Sequence, residues 1–377
     1  MKSNWPTKKL GECLTQFDRG ISWSRKDEGG TIAVLRIPNI QEGHINLDDL
    51  KHINAQNGNG ELQKNDIVMV ASNGNPDLVG RSALVTENEE GMRFASFLVR
   101  LRFDEKILLS KYAHLFLLTP KFKRELRSKI ATTSGIYNLR KQHIEKVKIL
   151  LPPLKIQKQI VERLDKIAEA QKLNDNLIQK AEELFQSLLH KELNPTGKSW
   201  SKKKLREVID FLKGKKMAVT EEQRPSYEPY IGIDTLRTRE YKLYTFEKKG
   251  VRCSENDVLV VWDGAYAGTV GIEVSGFAGS TVAKVVIKEP ELDSHFLKYF
   301  WEFKESKIRS AAQGAAIPHL SKTFVNNLKI PLPPLKIQKQ IIAKLSAAQK
   351  YKTQLFVQKS KLKELFDSVL SKSFSGK

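Results

Sequence analysis

The residues best suited to catalysis lie in DTLRTREYK at 234–242, where Asp234, Glu240 and Lys242 mimic the acidic, acidic, lysine set of metal-dependent nucleases. Taken alone, that set makes the chain a stand-alone metal-dependent DNA endonuclease. Such triplets arise easily in a chain with 28% charged residues, so the other chemistries must be searched as well. A methyl-transfer enzyme needs a loop for adenosylmethionine and an NPPY-like motif. NPDL at 75–78 lacks the second proline and the aromatic that would stack on a flipped base, and GNG at 58–60 reads as a turn. GKS at 197–199 has Glu192 where a phosphate-cradling loop has its first glycine. The seven histidines are scattered, with none paired at metal-binding spacing. Cys13 and Cys253 read as ordinary small hydrophobes, not as a disulfide framework or a zinc site. The expectation is a chain with no catalytic residues, no metal and no cofactor of its own.

What the chain carries instead is a repeat. LPPLKIQKQI at 151–160 returns letter for letter at 332–341. NWPTKKLGECL near the start is answered by SWSKKKLREVI at 199, setting Trp5, Lys9, Leu10 and Glu12 against Trp200, Lys204, Leu205 and Glu207. NDIVMVASNG (65–74) matches NDVLVVWDGA (256–265), and at the same offset Gly80 falls on Gly271, both read as turn glycines. A small-residue loop and an amphipathic segment precede each long string. The order is A-B-A′-B′: a first domain at 1–150, a helix at 151–193, a linker with a second domain at 194–331, and a helix at 332–377. The Asp234 set has no counterpart in the first domain, which counts against the nuclease reading.

The A units read as α+β. TIAVLRI, DIVMVA, SALVT and FLVRLRF have strand character, as do DVLVVW and VAKVVI in the second copy. YAHLFLLTPKFKRELRSKI and HFLKYFWEFKESKIR space their apolar residues as helices do. The B units begin at Pro152 and Pro153, which can open a helix but not sit inside one. From there Ile160, Leu164, Ile167, Gln171, Asn174, Ile178, Ala181, Phe185 and Leu188 step by four and three. The second copy repeats the pattern in Ile341, Leu345, Ala348, Lys352, Leu355, Lys359, Leu362, Phe366 and Val369. These are heptad seams with polar members in the middle, which restrict register at some cost in stability. NPTG at 194–197 ends the first helix.

The formal net charge is +21. The domains at 1–150 and 198–333 carry +7 and +6, residues 151–197 are neutral, and residues 334–377 carry +8, which suits DNA or an acidic partner face. An excess this large favours a polyanionic partner. No apolar run approaches the roughly 20 residues of a membrane helix and the start lacks a signal-peptide core, so the expected location is cytoplasmic.

With its duplicated order, its PLPPL starts and its heptads, the chain resembles the specificity subunit of a Type I restriction-modification enzyme over essentially all 377 residues. Family members often have an acidic residue where this chain has Ile156 and Ile337, while Gln157 and Gln338 fit the pattern. The resemblance implies two similar target recognition domains joined by two long helices in an antiparallel coiled coil with pseudo-two-fold symmetry. Each domain would read one half of a split, asymmetric double-stranded DNA target. Two methyltransferase subunits would bring S-adenosylmethionine, and restriction or translocase subunits would join where they exist. Geometry adds a ruler: Ile160 to Leu188 spans about 42 Å at about 1.5 Å per residue, and half-sites one turn apart lie about 34–36 Å from each other. A structural coiled-coil adaptor with no DNA role is the other rival, and the basic, loop-rich domains disfavour it.

Base reading requires side chains that offer paired donors and acceptors, with Arg suited to guanine and Asn or Gln to adenine. In the first domain the loops offer Arg19, Trp23, Arg25, Ser72, Asn73, Asn75 and Arg81. The second offers Lys213, Lys215, Lys216, Arg237, Arg239, Trp262, Asp263 and Tyr266. Tyr137, Asn138 and Lys141, and His319 with Lys322, precede the long helices and are expected to meet the DNA backbone or to do shared structural work.

Overall fold

The computed structural model of the chain describes residues 5–41, 43–54, 60–133, 135–194, 196–312 and 318–375. Most of the GNG turn and parts of the small-residue loops at 134 and 313–317 lie outside the described residues. Two compact units divide the chain: Met1–Asn174 with Gln358–Lys377, and Asp175–Val357.

In the first unit the strand Ile67–Val70 (IVMV) is buried along its whole length. It lies inside a four-stranded antiparallel sheet with the order Leu14–Arg19, Leu98–Phe103, Ile67–Val70, Ser82–Leu84. Ile67 and Met69 enter one core while Val68 and Val70 enter another, which is why this strand shows no polar alternation. The first core is covered by the helices Ser110–Leu117 and Pro120–Arg127. The sequence reads as one helical segment here, but the Thr119 hydroxyl accepts from the Phe122 amide at 3.2 Å and Pro120 opens a new helix. The second core is closed by a sheet of Lys51–Ile53, Glu28–Leu35 and Arg93–Phe94, whose last pair is parallel. Thr7–Lys9 pairs with Lys148–Leu150 and ties the domain's two ends together.

The second unit repeats the plan. Its sheet runs Ile209–Lys213, Val282–Ile287, Val258–Val261, Val270–Gly271, again all antiparallel. Val258 and Val260 face one core, Leu259 and Val261 the other. Ser294–Ser310 covers the first of these, and Ser201–Lys204 pairs with Lys329–Leu332 as the closing tie.

The repeated ND dipeptide has a shared physical role. Asp66 accepts from the Gln63 amide at 2.9 Å and from the Arg102 guanidinium at 2.6 Å, with buried Arg100 3.6 Å away. Asp257 accepts from the Ser254 amide and from Lys284, both at 2.7 Å. Each carboxylate caps the turn before the central strand and neutralises a cation on the neighbouring strand.

The aligned glycines diverge. Gly80 has φ +89°, as a turn requires, and a Cβ there would lie 2.3 Å from Leu126 Cδ2. Gly271 sits within a strand and serves no turn; a Cβ would come within 2.7 Å of Leu236 Cδ2, so close side-chain approach is its reason.

The long helices are Leu154–Leu193 and Leu335–Phe374, each of 40 residues. In the first unit, the early part of the first lies against the late part of the second. Val161 and Leu164 share a core with Leu370 and Phe374, and Gln171 Nε2 donates to the Leu362 carbonyl at 3.2 Å. In the second unit Phe185, Leu189 and Leu193 share a core with Ile341 and Leu345, Lys352 pairs with Glu182 and Lys344 with Glu192, both at 2.8 Å. Contacts that descend on one helix as they rise on the other make the pairing antiparallel within each unit.

The seam departs from the heptad reading at its ends. Ile160 and Leu188 are only partly buried, while Val161, Leu189 and Leu193 are buried, because the ends pack on globular cores and follow the 3.6-residue period of a straight helix. Leu164, Ile167, Asn174, Ala181, Phe185, Ile341, Leu345 and Leu355 are buried. Gln171, Ile178, Ala348, Lys352, Leu362, Phe366 and Val369 are partly buried, and Lys359 is exposed.

Each helix start is fastened to its own domain by a fully buried glutamine. Gln157 accepts from the Leu109 amide at 2.9 Å and donates to the carbonyls of Ile107 and Pro152 at 3.1 and 2.9 Å. Gln338 accepts from Asp293 at 2.9 Å and donates to Glu291 and Pro333 at 2.6 and 2.9 Å. The identical LPPLKIQ strings are the same anchor built twice. No helix among the described residues is long and apolar enough to cross a membrane.

Candidate nucleic-acid interface

At one end of each four-stranded sheet a cation, a short polar side chain and a residue from a distant loop converge. In the first domain the cation is Arg19, at the end of an edge strand in register with Val99. Its guanidinium donates to Ser72 Oγ at 3.3 Å and to the Ser96 and Leu139 carbonyls at 3.3 and 3.4 Å. Ser72 follows the central strand, and its hydroxyl donates to Asn138 Oδ1 at 2.6 Å. Backbone pairing sets that meeting, since Asn138 is in register with Ser72 and the Leu139 amide donates to the Ala71 carbonyl at 2.7 Å.

The second domain builds the same frame with other side chains. Lys213 ends the equivalent edge strand in register with Ala283, and its ammonium lies 2.8 Å from Asp263 Oδ2. Asp263 bridges to His319, whose Nδ1 lies 2.6 Å from Oδ1, and the Leu320 amide donates to the Trp262 carbonyl at 2.8 Å. A carboxylate only accepts, so His319 Nδ1 carries the proton. Burial works to raise the Asp263 carboxyl, but the hydrogen bonds from Lys213 and His319 outweigh it and hold the group below the usual aspartate range.

Of the sequence candidates, the structure brings Arg19 together with Ser72, and Lys213 with Asp263. Asn138 and His319, expected to do shared structural work, complete the two clusters. The signal for them was the internal alignment itself, which sets Asn138 on His319 with the same 181-residue offset as the duplicated string. Trp23 is half-buried and Arg25 exposed on the loop after Arg19. Asn73 and Asn75 use their side-chain oxygens to cap the amides of Asn75 and Asp77 at 2.8 and 2.9 Å, which shapes their own loop. Arg81 donates to the Ile40 carbonyl at 3.4 Å and lines a cavity of about 570 Å³ under that loop. Tyr137 rests on the first core. Lys141 and Lys322 open corresponding short helices and are exposed.

Lys215 and Lys216 are exposed beyond Lys213. The Arg237 guanidinium stacks 4.0 Å from the ring centre of exposed Tyr266. Trp262 is half-buried, edge-on to Phe211 at 5.2 Å. Arg239 takes φ +65° at a helix end and lies 3.9 Å from Glu273. Asp234 is exposed on the helix Ile233–Thr238, and Glu240 pairs with Lys242 at 3.9 Å. Among the described residues no group of three or more His, Cys, Asp and Glu side chains is placed to hold a metal ion. Cys13 and Cys253 are both buried, and burial pushes the Cys253 thiol up to about 11.

One α+β frame built twice, each copy fastened to a long helix and ending in a polar cluster, defines a duplicated two-domain scaffold. The family model for the Type I restriction modification DNA specificity domain matches residues 2–183 and again 197–365, and the chain belongs to that family. The Type I restriction enzyme MjaVIII specificity subunit of Methanocaldococcus jannaschii is 38% identical over 149 residues, 39% of this chain and 35% of that protein. The Type I restriction enzyme EcoKI specificity subunit of Escherichia coli K12 is 26% identical over 186 residues, 47% of this chain and 40% of that protein. These matches thus span well under half the length of either relative. The solved Type-I restriction-modification system S subunit from M. genitalium shares the fold at a TM-score of 0.63 and 16% identity, over 98% of this chain and 96% of that one.

Proposed function

We propose that this chain is the DNA-recognition subunit of a Type I restriction-modification assembly, each domain reading one half of a split and asymmetric target. The observation that carries this reading is one frame repeated with unlike exposed side chains. Sheet order, closing ties and glutamine anchors are shared between the domains, whereas the loops that could reach bases are not. Exposed Lys141 and Lys322, Lys215 and Lys216 supply phosphate contacts, which position a protein on duplex without specifying sequence. The antiparallel long helices set the gap between half-sites and offer the surface on which two methyltransferase subunits dock. Those subunits bring S-adenosylmethionine; this chain contributes recognition and no catalysis, and restriction or translocase subunits join the same scaffold. Relatives named as specificity subunits of Type I restriction enzymes support the assignment.

The test is domain exchange. Replacing residues 1–150 by another recognition domain is expected to change one half of the methylated sequence in the host and leave the other half and the gap intact. Change in both halves refutes the modular reading. Binding should also weaken with salt with a log–log slope of about −0.9 per phosphate contacted. Magnesium-dependent cleavage by the isolated chain, lost on Asp234→Ala, would favour a nuclease instead.

A further inference from the structure

We infer that the clusters Lys213–Asp263–His319 and Arg19–Ser72–Asn138 are the specificity-determining elements of the two domains, each discriminating a base at the corresponding position of its half-site. The inference rests on the recognition function proposed above and assigns it to particular side chains.

Three observations converge. First, strand register makes the clusters equivalent, independently of sequence similarity: Arg19 faces Val99 as Lys213 faces Ala283, and Asn138 pairs with Ser72 as His319 bridges to Asp263. Second, the backbone around them is held alike, by an amide-to-carbonyl bond of 2.7 Å from Leu139 to Ala71 and of 2.8 Å from Leu320 to Trp262. The chemistry laid on that common frame is nevertheless unlike, which is where two readers of different half-sites must differ. Third, the outer side chains reach solvent while Ser72 and Asp263 lie beneath them: Arg19 is exposed, Asn138 partly so, and Lys213 and His319 are 49% and 54% exposed, so core packing does not dictate these four. Lys141 and Lys322, three residues beyond Asn138 and His319, are exposed cations at matching places, suited to hold the backbone of a duplex beside the cluster.

The displayed groups suit different bases. In the first domain Asn138 Oδ1 is occupied by the Ser72 hydroxyl and one of its amide N–H groups by the Ile136 carbonyl at 3.3 Å, which leaves its second amide N–H and the Arg19 N–H groups not directed at Ser72, Ser96 and Leu139. A donor-only face suits the O6 and N7 acceptors of guanine. In the second, Asp263 is occupied by Lys213 and His319 and acts as a positioning residue. In the tautomer that carries its proton on Nδ1 against that carboxylate, the imidazole offers Nε2 as an acceptor, which suits the exocyclic amino group of adenine or cytosine.

The test transplants the first cluster onto the second domain as K213R/D263S/H319N, with H319A as a single, exposed substitution that removes the imidazole acceptor and leaves the Lys213–Asp263 pair in place. The full chain, assembled with its methyltransferase partner, selects from a pool of duplexes randomised at every position, and thermal unfolding checks each variant. The transplant is expected to move the selected base at one position of the second half-site toward guanine, with the first half-site unchanged. H319A is expected to relax that same position at least tenfold. An unchanged consensus in H319A overturns the inference, as does equal weakening on all sequences, which marks a phosphate contact. A wild-type protein that enriches no sequence overturns the recognition function itself.

Discussion

The duplicated glutamine anchor allows one stability argument to be tested twice in one molecule. Gln157→Leu keeps the size of a fully buried side chain and removes three hydrogen bonds, to Leu109, Ile107 and Pro152. Among the described residues the Leu109 amide donates only to Gln157, and a partly or fully buried donor left unsatisfied costs about 1–3 kcal/mol. The two carbonyls retain a second lone pair and lose less. Together the loss should be about 3 kcal/mol, and Gln338→Leu should match it in the second unit, where the Asp293 amide and the Glu291 and Pro333 carbonyls lose their partner. Gln157→Glu separates hydrogen bonding from shape: it has the same size and an acceptor, but cannot donate to two carbonyl oxygens and should be no better than leucine. The assay is urea unfolding of the full chain, where about 3 kcal/mol moves the midpoint by roughly 1–3 M at a slope of about 1–3 kcal/mol/M. A loss below about 1 kcal/mol for both leucine variants, or a neutral Gln157→Glu, refutes the anchor argument.

Two further expectations concern charge in the interior. Burial holds His114 down to about 4, against 6.5 for the free imidazole, so between these pH values the unfolded chain binds a proton that the folded chain does not. Stability should therefore fall as pH drops through that window, by up to about 3 kcal/mol at 1.36 kcal/mol per unit, and His114→Gln should flatten this part of a stability–pH profile; an unaltered profile refutes the assignment. Asp66→Asn should cost about 1.5–3 kcal/mol, because Asp66 is 0% exposed and loses charge-assisted hydrogen bonds to Arg102, 26% exposed, while buried Arg100 keeps Asp18. Asp257→Asn should cost about 1 kcal/mol, since its partner Lys284 and the carboxylate are 23% and 21% exposed. Equal losses in the two denaturation curves would show that burial does not set the difference.

What could be read from the sequence was what local periodicity and repetition encode. IVMV and VLVV read as strands because β-branched runs admit little else, and Pro152–Pro153 with heptads reads as the start of a long helix because proline position and apolar spacing act within a few residues. Duplication then implied the architecture, since two copies of one frame fold alike. The seam's ends could not be read this way: whether Ile160 or Val161 turns inward depends on the globular core against which the helix end packs. Gly80 and Gly271 look equivalent in the alignment, yet one satisfies a positive φ and the other makes room for Leu236.

The clusters at the sheet ends depended most on tertiary structure. Lys213, Asp263 and His319 come from three separate stretches of chain and meet only because strand register sets the end of an edge strand, the exit of the central strand and a returning loop side by side. Sequence specified the side chains and the frame's duplication. Only the fold decided that these polar groups share one surface, because hydrogen-bond register acts between segments that spacing along the chain cannot relate.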